Sequence, residues 1–177
     1  ISATLLAICK QGDNIISGKN LFGHTLALFG QSLLAYGLET RFVDTTKPEW
    51  IEPLIDENTR AIFFETITNP QLEIADISQL AEIANKHGIL LIADSTITPP
   101  SIFNSKSLGV HVEVLSTTKF ISGGATAVGG LIIDNGLYDW GKNPNCQTFA
   151  EKFGKDAFIA SLRKNYYRNL GMPMTAH

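Results

Sequence analysis

Lys119 stands in Ser116-Thr117-Thr118-Lys119-Phe120-Ile121-Ser122-Gly123-Gly124, a run that follows an apolar stretch ending at Leu115 and closes on a glycine pair. An amine so placed has one characteristic chemistry. It forms a Schiff base with an aldehyde when its surroundings lower its pKa, or when the carbonyl captures it outright. Hydroxyls at Ser116 and Thr118 can bind an anion, so the whole run can present one amine to a phosphate-bearing aldehyde. A surface lysine in a Ser/Thr loop would use the same residues, and one short run does not separate the two readings.

Further residues narrow the choice. Pyridoxal phosphate needs a lysine for its aldehyde, a carboxylate at the pyridine nitrogen, donors for the phosphate and an aromatic face over the ring. The carboxylate keeps the nitrogen protonated, which makes the ring an electron sink. Asp94 closes the apolar run Ile89-Leu90-Leu91-Ile92-Ala93, where an unpaired charge would be costly. In isolation it also fits a turn at Asp94-Ser95-Thr96. Phe22, in Leu21-Phe22-Gly23-His24, could stack on a planar ring, and Gly23 allows close backbone approach. An ordinary core phenylalanine is the alternative in a chain with ten of them. The Asn69 amide, before Pro70, could bond a ring hydroxyl, or Asn69-Pro70 could be a simple turn. His24, His87, His111 and His177 share no ligand-like spacing and are assigned no chemistry, and no metal site is expected.

Such residues need elements to bring them together. A first helix is expected to close at Gly12, followed by a strand over 14–17. A helical stripe runs from Leu26 to Tyr36 and ends at Gly37. Strands are expected over 40–44, 60–65, 89–93, 112–115 and 128–134, with a short helix over 50–54. Asp76 should cap a helix through Lys86 that closes at Gly88. A further amphipathic helix is expected over 156–168. Strands apolar throughout, separated by helices, argue for an α/β fold: a mostly parallel sheet flanked by helices. In such sheets ligands bind at the carboxyl ends of the strands. Glu65, Asp94 and the segment from Ser116 to Lys119 all fall at such ends.

Composition bounds the rest. The chain of 177 residues suits one sizeable core. A net charge of −3 without a Lys/Arg cluster argues against nucleic acid. No apolar run approaches the roughly 20 residues of a membrane span, and Cys9 and Cys146 make no disulfide framework, so free thiols in a cytoplasmic protein are expected. The ends, Ile1-Ser2-Ala3 and Thr175-Ala176-His177, read as cuts within a longer protein.

With these residues in view, the chain resembles the pyridoxal-phosphate enzymes of cysteine and methionine metabolism. These include the cystathionine synthases and lyases, methionine γ-lyase and the O-acetylhomoserine sulfhydrylases. Ser116-Thr117-Thr118-Lys119-Phe120-Ile121 is similar to the family's cofactor-lysine signature. Glu65-Thr66-Ile67-Thr68-Asn69-Pro70 and Ala93-Asp94-Ser95-Thr96 match two further landmarks. Glu65-Thr66-Ile67, and Val128 to Asp134 leading to Asp139-Trp140, look most like the sulfhydrylase branch. The chain departs from the family pattern at Phe22, where tyrosine is frequent, at Ser95, where asparagine is usual, and at Gly124, where histidine is common.

The resemblance implies a pyridoxal 5'-phosphate site. Lys119 would bind the aldehyde and move protons, Asp94 would pair with the ring nitrogen, and Ser116 and Thr118 would hold the phosphate. Asn69 would bond the ring oxygen and Phe22 would cover the ring. It implies that residues 1–177 form the cofactor-binding large domain, lacking an amino-terminal arm and a C-terminal domain. The expected activity is γ-replacement on O-acetylhomoserine with sulfide or a thiol, giving homocysteine or methionine, in a cytoplasmic homo-oligomer, a dimer or tetramer. A γ-lyase or cystathionine γ-synthase of the same family is the nearest alternative. A Rossmann-type nucleotide binder or a catalytically incomplete domain are the alternatives from other classes. The spacing of Gly18 and Gly23 does not make the dinucleotide fingerprint.

Overall fold

The computed structural model describes residues 1–169. His177 lies outside them. Six strands form one sheet in the order β2-β1-β3-β4-β5-β6. They are β1 (Asn14–Gly18), β2 (Glu39–Val43), β3 (Thr59–Glu65), β4 (Leu90–Asp94), β5 (Val112–Ser116) and β6 (Gly130–Asp134). The first five run parallel. Strand β6 pairs antiparallel with β5, in a register that sets Gly130 opposite Ser116.

The central strands are buried along their length, as β3 and β4 show, because helices cover both faces. One core cluster gathers Leu5 and Ile8 of α1 (Ser2–Ile8), Ile15, Phe63, Ile92, Val112, Trp140 and Phe158. The other gathers Ile16, Ile62, Phe64, Leu91 and Val110 against Leu80 and Ala84 of α3 (Ile77–His87). Successive residues of β3 alternate between the clusters, as strand periodicity requires. Trp140 and Phe158 stack at 4.6 Å and close the first cluster.

Helix α3 is bounded as its sequence predicts. Asp76 accepts from the Gln79 N–H at the start, and Gly88 takes the left-handed conformation (φ 65°) at the end. The first helix stops earlier than predicted, at Ile8, and Gly12 instead turns the chain at φ 91°. The stripe from Leu26 to Tyr36 is not one regular helix. It comprises α2 (Gly23–Ala27), a π-turn segment over Leu28–Ser32 and a 3-10 turn over Leu34–Tyr36 before Gly37. Helices α4 (Gln147–Phe153) and α5 (Ala157–Ser161) follow the sheet. No helix among the described residues is long and apolar enough to cross a membrane.

The strand order positions the site. The chain passes from β1 outward to β2, then returns to lay β3 on the other side of β1. Such a reversal opens a crevice at the carboxyl ends of the strands. Phe22 follows β1, Glu65 ends β3, Asp94 ends β4 and Ser116 ends β5. All four meet at that edge.

Candidate active site

A cavity of about 920 Å³ lies at this edge. That is within the roughly 300–1,000 Å³ of small-molecule sites. Its wall includes Lys119, Asp94, Phe22, Asn69 and Ser116, five of the six residues predicted from sequence. Thr118 is the one the lining does not include. Its hydroxyl accepts from the Gly129 N–H at 3.0 Å and donates to the Gly129 carbonyl at 3.2 Å, tying the lysine loop to the start of β6.

Asp94 is held from one side. Its Oδ1 accepts from the Thr96 N–H at 2.9 Å and from the Thr96 hydroxyl at 2.6 Å. That hydroxyl also accepts from the Ser116 N–H at 2.9 Å, so one threonine oxygen joins the carboxylate to the head of the lysine loop. Burial raises the Asp94 pKa, and the Thr96 bonds oppose the rise. No lysine, arginine or histidine side chain is paired with Asp94 among the described residues. The Ile1 amino group, which also lines the cavity, adds a smaller favourable charge. A desolvated carboxylate with no side-chain ion pair is the partner that a protonated ring nitrogen requires. The donor set therefore fits pyridoxal phosphate.

Glu65 stands beside Asp94 in the β3–β4 register. It is 6% exposed, and burial raises its pKa, with the Asp94 charge adding to the rise. Its two oxygens accept from different loops, Oε1 from the Phe22 N–H at 2.7 Å and Oε2 from the Asn69 N–H at 3.2 Å. Behind the site, Glu113 of β5 is buried and takes the hydroxyls of Ser95 and Ser105. Ser95 immediately follows Asp94, so the back of the sheet fixes the turn that aims the carboxylate.

Sequence reasoning missed Thr96, the linking role of Glu65, and His24. His24 lines the cavity and meets the Phe22 ring edge-on, with centroids 5.4 Å apart. Its nearness in sequence to Phe22 was the available signal. The hydrogen bonds of Glu65 and Thr96 span residues that no local pattern relates. No cluster of His, Cys, Asp or Glu suited to a metal occurs among the described residues.

Lys119 and Asp94 line one cavity at the carboxyl edge of a mostly parallel sheet, and the solved structures that share this architecture are fold-type I pyridoxal-phosphate enzymes. Over residues 1–172 the sequence matches the family described as Cys/Met metabolism PLP-dependent enzyme, and the chain belongs to that family. It is 36% identical to a homocysteine/cysteine synthase of Kluyveromyces lactis, over 93% of this chain and 40% of the relative. The structure is similar to that of an O-acetylhomoserine sulfhydrylase of Wolinella succinogenes. The TM-score is 0.91 at 44% identity, covering 98% of this chain and 49% of the other. It is also similar to a putative O-acetylhomoserine (thiol)-lyase of Campylobacter jejuni whose lysine carries a pyridoxyl phosphate group. There the TM-score is 0.74 at 38% identity, covering 75% of this chain and 33% of the other. The chain spans about two fifths of the length of the curated relatives it matches.

Proposed function

We propose that the protein is the cofactor-binding part of an enzyme that replaces the γ-substituent of O-acetylhomoserine. In the overall reaction the γ-carbon–oxygen bond breaks and acetate leaves. A γ-carbon–sulfur bond forms with sulfide or a thiol, giving homocysteine or methionine. The observation that carries the reading is the convergence of Lys119 and Asp94 on one cavity. The names of the relatives support the choice of reaction within the family.

Each residue would have a separate task. Lys119 Nζ would bind the cofactor aldehyde and, once displaced by the substrate amine, take the proton from the substrate α-carbon. The bound pyridoxal phosphate would supply an electron sink for the charge left at that carbon. Asp94 would hold the proton on the ring nitrogen, and the absence of an ion pair between it and any Lys, Arg or His side chain among the described residues supports this. Asn69 would donate to the ring oxygen. The Ser116 hydroxyl would bind the phosphate, and Thr118 would join it by turning its hydroxyl away from Gly129. Phe22 would cover the ring face. Its side chain has no hydroxyl and can move no proton, so proton movement falls to Lys119.

The test uses the full-length protein with O-acetylhomoserine and sulfide. The expected products are homocysteine and acetate in equal amounts. Ammonia and a keto acid in their place would assign γ-elimination instead. Lys119→Ala should abolish turnover and leave no lysine in this loop that borohydride can label through the cofactor. A labelled lysine elsewhere in the chain would remove the assignment. We further propose that the intact protein is a cytoplasmic homo-oligomer, its solvent-facing loop beside the cavity forming part of the contact.

A further inference from the structure

We propose that Glu65 is a positioning residue for the cofactor, its carboxylate setting the separation between the loop that carries Phe22 and the loop that carries Asn69. The proposal rests on reading the cavity as a pyridoxal phosphate site. Phe22 would meet the face of the ring and Asn69 its oxygen-bearing edge. Neither loop is part of the sheet, and each must be held against it.

Glu65 does this from the last position of β3, next to β1 on one side and β4 on the other. One oxygen accepts from the Phe22 amide, 43 residues away in sequence, at 2.7 Å. The other accepts from the Asn69 amide at 3.2 Å. These amides belong to the two residues assigned to the ring's face and edge. A second tie joins the same loops: Asn20 Nδ2 donates to Glu73 Oε2 at 2.6 Å. The two loops are therefore bridged twice, at Phe22 and Asn69 themselves and again between Asn20 and Glu73, and Glu65 is the buried bridge.

Charge and length are both required. Two N–H groups aimed at one side chain need an acceptor at each oxygen, which an ionised carboxylate offers. A glutamine keeps the shape but turns an NH2 group toward one of the two donors. The loop facing that group is then pushed away rather than held. An aspartate keeps the charge but is one methylene shorter and cannot span both amides.

The experiment compares full-length wild type with Glu65→Gln as apoproteins titrated with pyridoxal phosphate. Three quantities are read: the dissociation constant, the visible circular dichroism of the bound cofactor, and the far-ultraviolet dichroism of the fold. Loss of one charge-assisted bond predicts a dissociation constant raised roughly tenfold or more. The visible dichroism should shrink as the ring loses its fixed orientation, with the far-ultraviolet signal unchanged. A purely structural role would not move the visible signal at equal far-ultraviolet signal. Unchanged affinity and unchanged visible dichroism in Glu65→Gln, with wild type loading normally, would overturn the clamp and leave the site reading standing. Failure of wild type to take up the cofactor would overturn the site reading itself, and the clamp with it. Should Glu65→Gln not fold, Glu65→Asp poses the same question: weakened affinity is expected, and wild-type affinity would overturn the proposal.

Discussion

Asp94→Ala separates the two halves of the proposed chemistry, because it removes the ring-nitrogen partner and leaves the amine of Lys119 in place. The variant is expected to take up pyridoxal phosphate covalently, seen as a visible absorbance band. Removal of the substrate α-proton should slow by at least 100-fold, about 3 kcal/mol of transition-state stabilisation. Exchange of that proton with deuterated solvent, followed by NMR, measures the step directly. Exchange at the wild-type rate would remove Asp94 from the mechanism. Glu113 makes a different prediction, since it supports the site from behind. Glu113→Ala leaves the Ser95 and Ser105 hydroxyls without their buried acceptor. This should cost on the order of 3 kcal/mol in urea unfolding. Lys119 and Asp94 were legible in the sequence because each follows an apolar strand, and chain order alone put both at one edge. Thr96 and Glu65 were not. Their importance lies in bonds to Ser116, Phe22 and Asn69, contacts that exist only after strands distant in sequence have paired.

The strands were legible for a plain reason: runs such as Ala61 to Phe64 are apolar on both faces, which suits a sheet covered twice. Direction was less so. Nothing in Leu131-Ile132-Ile133 distinguishes a strand that continues the parallel set from one that turns back. The loop after Lys119 is what reverses β6 onto β5. Periodicity over Leu26 to Tyr36 likewise reports a helical face, and is blind to the π and 3-10 turns within it. The junction of β4 and β5 carries a pH prediction. His111 is buried and its Nδ1 accepts from the Leu91 N–H at 2.9 Å. Burial lowers its pKa from 6.5 to about 4. Between those values the unfolded chain takes a proton that the folded one refuses. This contribution to stability is therefore complete above pH 6.5 and is lost as pH falls toward about 4. The loss amounts to about 3 kcal/mol. Asp94, Glu65 and Asp134, whose pKa values burial raises, act with the opposite sign. The measurement is thus the difference between wild type and His111→Gln in urea unfolding from pH 7 to pH 4. That difference should shrink as pH falls, and a constant difference would show that His111 does not titrate differently on folding.

At the scale of the molecule, the loop between β5 and β6 joins the site to the surface. Phe120 is 62% exposed, Ile121 51% and Val128 93%, yet Phe120 also lines the cavity beside Lys119. Apolar side chains exposed this far are an unfavourable surface for a monomer and a favourable one for a contact. In the proposed homo-oligomer, covering this loop would bury apolar area and shield the cavity mouth from water together. Assembly and cofactor retention should therefore change in parallel. Val128→Asp places a charge at the most exposed of these positions, outside the cavity wall. Burying that charge at a contact costs several kcal/mol unless it is paired. Sedimentation of the full-length protein is expected to show the variant dissociating at concentrations at least about tenfold above those that keep wild type assembled. The dissociated species should also release pyridoxal phosphate faster. If Val128→Asp sediments as wild type does, this loop lies outside the contact. If it dissociates yet holds the cofactor as firmly, the cavity is complete within one chain, and its shielding owes nothing to a neighbour.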